Sequence, residues 1–167
     1  GLFARFGVSS VAGLKAALDD DLYPVDVPYA HPPANHVACA FDFSAGASAA
    51  YGERTLTGRG FFAGRTDPRS VGDFPWPDPA RHIDPVACAA AAAAVPPGKA
   101  GLGVMWSAHF QDACAAFGME EALSAMLLAP EMFAAVIDRI LAFYLRANGI
   151  FYEAAAGRLA AVLLGND

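Results

Sequence analysis

The chain reads as an α/β protein, and three stretches in its second half carry that assignment. KAGLGVMW, residues 99–106, is a glycine-spaced apolar run followed by Ser107, which can cap a helix running to about Phe117, and this makes a strand-turn-helix unit. Residues 130–156 place Phe133, Val136, Ile137, Ile140, Leu141 and Tyr144 on one face at steps of three and four. LAAVLLG, residues 159–165, then returns as an apolar run ending in Gly-Asn-Asp. Strand, helices, strand is the order expected of a parallel sheet or a (β/α)8 barrel.

The remaining elements follow from local signals. Ser9-Ser10 before Val11, Leu14, Lys15 and Leu18 predicts a short helix over 9–18. Asp19, Asp20 and Asp21 at its C-terminal end oppose the helix dipole, so they are either solvated loop residues or kept for another purpose. LYPVDVPY, residues 22–29, predicts an early strand, placed at an edge by Pro24 and Pro28. Between Val37 and Gly64 apolar residues alternate with Gly, Ser and Thr (CAFDF, ERTLTG, RGFFAG), which predicts a small antiparallel meander of two or three strands. Residues 66–85 hold five prolines and four aspartates, so they read as turns and linker anchored by Trp76. An alanine-rich helix over 85–95 stops at Val95-Pro96-Pro97-Gly98. Gly118 separates a helix ending at Phe117 from one over 119–128, and Pro130 and Glu131 suit the first turn of the next.

At 167 residues, 56% of them hydrophobic, the chain can bury one core and not two. Eleven basic against seventeen acidic residues give a net charge of −6 with no Lys/Arg cluster, which argues against nucleic acid as a partner. Three scattered cysteines, none in a CxxC pair, point to a reducing, cytoplasmic setting. The longest apolar tract, residues 86–95, is far below the ~20 residues that span a bilayer.

The best local constellation is WSAHFQD, residues 106–112. His109 and Asp112, three apart in the first turn of a helix after a strand, share a face, so the carboxylate can hold the imidazole's tautomer. Trp106 and the free N–H groups of the helix start would meet a substrate carboxylate or phosphate. The plainer reading is a capping Asp beside a surface His. Asn166 and Asp167 end the last strand, a position that in a barrel reads as catalytic or metal-binding more than structural. His31 and His36, the one close histidine pair, lack Cys or acidic partners in range, and no metal site is assigned to them.

GVSSVAGLKAALDDDLYPVDVPY, FPWPDP, the strand leading to FQDACAAFGMEEAL, and APEMFAAVIDRILAFYLRANGIFYEAAAGRLAAVLLGND together resemble the uroporphyrinogen decarboxylase family, which also holds corrinoid- and coenzyme-M-linked methyltransferases. The resemblance runs over nearly all 167 residues. It implies that residues 1–167 are the N-terminal part of a single domain, a partial (β/α)8 TIM barrel with the meander and Pro-rich linker of residues 36–84 inserted, since a full barrel takes about 250 residues. It implies decarboxylation of tetrapyrrole acetate side chains, without cofactor or metal, with Asp21 in the catalytic role of orienting the pyrrole nitrogens. Apart from the resemblance, His109 and Asp167 are the other catalytic candidates, and Trp106, Asp112 and Asn166 the substrate-binding ones. The arginine-rich N-terminal motif of the decarboxylases is not found, and Cys114 and Phe117 stand where they carry Tyr and Arg. The implied partners are a small-molecule substrate, a second copy in a homodimer and the C-terminal half of the barrel. The alternatives are a zinc- and corrinoid-dependent methyltransferase and a non-catalytic half barrel.

Overall fold

The computed structural model describes residues 1–31, 37, 40–44 and 58–165. Its elements run α1 (Leu2–Phe6), α2 (Val11–Ala17), β1 (Leu22–Asp26), α3 (Pro85–Ala93), β2 (Ala100–Trp106), α4 (His109–Phe117), α5 (Met119–Leu128), α6 (Pro130–Ala155) and β3 (Leu159–Gly165), with two 3-10 turns at Pro68–Asp73 and Pro79–Arg81. The three strands form one parallel sheet in the order β1-β2-β3.

Local chemistry accounts for most boundaries. The Ser10 hydroxyl accepts the Gly13 N–H and starts α2. Asp67, Asp78 and Asp84 each cap a helical turn whose first residue is proline, where the missing N–H costs nothing. These repeated Asp-Pro steps convert the predicted linker into ordered turns. Pro130 opens α6 in the same way, and left-handed Ala156 closes it.

Helix α6 is the centre of the packing. Its inward face, including Met132, Val136, Ile140, Tyr144, Ala147 and Phe151, is wholly buried, and it touches α3, α4, α5 and both 3-10 turns. A second part of the core is aromatic. Phe62 lies 6.0 Å from Trp76 and from Phe117, Phe43 lies 4.7 Å from Phe74, and the Trp76 indole N–H donates to the Val71 carbonyl at 2.8 Å. Trp76 is therefore the anchor of the Pro-rich stretch.

Two parts of the expected fold are corrected. The described part of residues 37–64 contains no antiparallel meander. Val37, Phe41, Phe43 and Phe62 leave the backbone in turns and send their side chains into the core. The alternation of apolar and small residues that imitates strands is here a series of aromatic plugs, while ERTLTG, apart from its last residue, lies outside the described residues. The partial barrel is replaced by an open three-stranded sheet flanked by helices. Residues 160–164 of β3 are all exposed, whereas a barrel strand is covered on both faces. No helix of the described residues is long and apolar enough to cross a membrane.

Candidate functional site at the carboxyl ends of the strands

In an open parallel sheet, ligands meet the protein beyond the carboxyl ends of the strands. Here that end is formed by Asp26 of β1, Trp106 and Ser107 after β2, and Gly165 of β3, joined by the Ser107 N–H to Gly165 carbonyl bond at 3.1 Å. Ser107 is not the expected cap of α4. It is buried, and its hydroxyl donates back to the Met105 carbonyl at 3.4 Å, so Ala108 holds the cap position with no side-chain bond.

Asp112 occupies the first turn of α4 and is fully buried. A buried carboxylate must find donors, and the Tyr144 hydroxyl, from the inward face of α6, donates to it at 2.6 Å. That length is typical of an O–H bond to an ionised acceptor. His109 is half-buried, and its ring meets Tyr144 edge-on at 5.0 Å. The expected contact of Asp112 with the His109 imidazole is thus replaced. The carboxylate holds the tyrosine, the tyrosine ring supports the histidine, and no hydrogen bond joins His109 to Asp112 among the described residues. Tyr144 and Asp112 form one hydrogen-bonded pair, and His109, half-buried against the tyrosine ring, is the one of the three placed to pass a proton to a ligand.

Asp21 stands at the other end of the molecule. It precedes β1, its carbonyl accepts the Ala100 N–H at 2.8 Å, and its carboxylate lies 3.7 Å from the Lys99 ammonium. The five residues of β1 separate it from the carboxyl-end group by about 16 Å at ~3.3 Å per residue. Asp21 therefore cannot share a site with His109 and Asp112. Its neighbour Asp20 accepts the Leu22 N–H at 3.0 Å, and this bond, helped by Lys15 and Lys99, holds its carboxyl below the usual range. These aspartates tie α2 to the amino ends of β1 and β2. Trp106 is the last residue of β2, paired with Gly165, and Asn166 and Asp167 lie outside the described residues.

A second group at the carboxyl end has no signature in the local sequence. After β1, Tyr29 and His31 turn toward His82, with Tyr29 5.6 Å from His82 and the two imidazoles edge to face at 4.2 Å. The Ala30 N–H donates to the His82 carbonyl at 2.9 Å while His82 Nδ1 meets the Ala30 carbonyl at 2.8 Å, a reciprocal clamp between the β1 loop and the turn before α3. The Tyr29 hydroxyl and His31 Nδ1 are buried without a hydrogen-bond partner among the described residues. Burial pushes the Tyr29 phenol far up and, with the charge of His82 adding to it, pushes the His31 imidazole down. His36, the partner suggested by spacing, lies outside the described residues.

The His31 shift has a measurable sign. The unfolded chain takes up its proton near pH 6.5, while the folded chain resists until lower pH, so falling pH favours the unfolded state in that interval. Urea midpoints measured at pH 7.5 and 5.5 are expected to fall with pH, and His31→Phe is expected to flatten the dependence. An unchanged slope in the variant would assign it to other groups.

Among the described residues no group of three or more His, Cys, Asp or Glu side chains is placed to hold a metal ion. These residues thus do not fit a zinc centre. Cys88 and Cys114 are buried free thiols whose burial raises their pKa, which makes them poor nucleophiles. Compared with protein-family models, curated proteins and solved structures, the chain shows no match.

Proposed function

We propose that the chain carries the acid-base part of a small-molecule enzyme of the uroporphyrinogen decarboxylase type, working at the carboxyl ends of β1 and β2. The observation that supports this reading best is the buried Tyr144-Asp112 bond with His109 against the tyrosine ring. Loss of CO₂ from an acetate side chain leaves electrons on the methylene carbon, and a proton must be delivered there to give a methyl group. His109, half-buried beside Tyr144, is suited to deliver it. Asp26, at the carboxyl end of β1, is the strand-end acid that would orient pyrrole nitrogens in place of Asp21.

A second reading, methyl transfer, is favoured by charge. A substrate with eight carboxylates calls for cations, and Asp26, Ser107, His109, Asp112 and Tyr144 include none.

The test is anaerobic incubation with uroporphyrinogen, followed by oxidation and chromatography of the porphyrins by carboxylate number. Products with fewer carboxylates that vanish with His109→Ala are expected. Unchanged uroporphyrin, with methyl transfer to a thiol from a methylated corrinoid in a parallel assay, would replace the first reading by the second.

A further inference from the structure

The cleft beyond β1 has a chemistry different from the Tyr144-Asp112 group. It encloses about 520 Å³, within the range of small-ligand sites. Asp26, Tyr29, Ala30, His82, Asp84 and Ala87 line it. Its charged walls are both acidic, and neither Asp26 nor Asp84 has an ion-pair partner among the described residues. Asp84 uses one carboxylate oxygen to accept the Val86 N–H at 2.9 Å, which leaves the other for the cleft.

His82 adds an acceptor. Its Nδ1 is committed as a donor to the Ala30 carbonyl, so in the neutral ring Nε2 carries the lone pair. Tyr29, only 7% exposed, lines the same cleft with its aromatic ring, while its hydroxyl is buried beneath the surface. Val27, Pro28, Ala30 and Ala87 supply apolar wall. Two carboxylates, a lone-pair nitrogen, an aromatic face and no cation form the complement of an ammonium group on an apolar body.

We propose that this cleft is a binding site for a small primary amine in its protonated form, with Asp26 and Asp84 balancing the charge, His82 Nε2 accepting an N–H and the Tyr29 ring covering the ammonium. The titratable side chains lining it are Asp26 from β1, Tyr29 from the loop, and His82 and Asp84 from the turn before α3, while α3 contributes Ala87. The site shares Asp26 with the proposed acid-base centre but uses none of the residues that move its proton, so D84N reads the amine cleft alone.

The experiment is titration of the protein carrying ring-labelled histidine with benzylamine, followed by NMR at pH 7.5, with benzoate and benzyl alcohol as controls. Saturable shifts of the His82 ring are expected with benzylamine alone. D26N and D84N should each weaken binding about fivefold or more. Asparagine caps a helix as aspartate does, so D84N keeps α3. Equal binding of benzoate, unsaturable benzylamine shifts, or affinity unchanged in both variants would overturn the proposal.

Discussion

Gly60→Ala is expected to destabilise the protein by about 3 kcal/mol or more, at the top of the range for overpacking. A methyl group at this position would fall inside the van der Waals radii of the Ala115 and Ala116 carbonyls, the backbone of the end of α4. Backbone held in a helix cannot step aside as the tip of a flexible side chain can. The neighbouring Phe62 N–H donates to the same Ala116 carbonyl at 2.8 Å, so the segment cannot slide away without losing that bond and withdrawing the buried Phe62 ring. Thermal unfolding followed by circular dichroism provides the measurement, with Gly72→Ala, which meets nothing within 4 Å, as the control. Equal melting of the two variants would show that residues 58–62 do not dock against α4.

The second large effect lies at Asp112. Tyr144→Phe removes one donor from a carboxylate with no exposure and is expected to cost about 1.5–3 kcal/mol, the worth of a hydrogen bond to a charged group. Asp112→Asn keeps an acceptor for the tyrosine and should cost less. If Tyr144 and Asp112 support proton delivery by His109, both variants also lose about 10²-fold in turnover. The stability order and the shared loss of turnover separate a working proton network from simple packing. In simple packing, Asp112→Asn would keep full activity. Denaturant titration and steady-state kinetics on the same preparations provide both readouts.

Much of the second half is legible because its signals are local. Pro130 at the start of α6, Gly118 between α4 and α5, and the three-four spacing from Phe133 to Tyr144 each act within a turn or two of helix, although Leu141 of that set is exposed. Sequence and structure part where the deciding partner is distant. Phe41 and Phe43 alternate as strand residues do, yet they answer to Trp76, Phe74 and Phe143. Asp21 and Asp26 flank the same strand, and only the direction of the sheet decides which of them reaches the ligand end. Tyr144 is legible as a core residue of α6. Its role as the donor to Asp112 depends on a helix crossing, and the clamp between His82 and Ala30 likewise joins residues far apart in the chain.

The sheet register also bears on how the chain folds. Leu22 pairs with Ala100, so everything from residue 22 to residue 100 must be looped out before β1 and β2 meet. The span from β2 to β3 is instead filled by α4, α5 and α6, which form from neighbouring residues and pack on one another. The closure entropy of the first loop is repaid only after that helical platform exists. Strand β1, with Asp26 and the Tyr29-His82 clamp, is therefore expected to assemble last in the sheet and to leave it first, so its amides should exchange with solvent before those of β2.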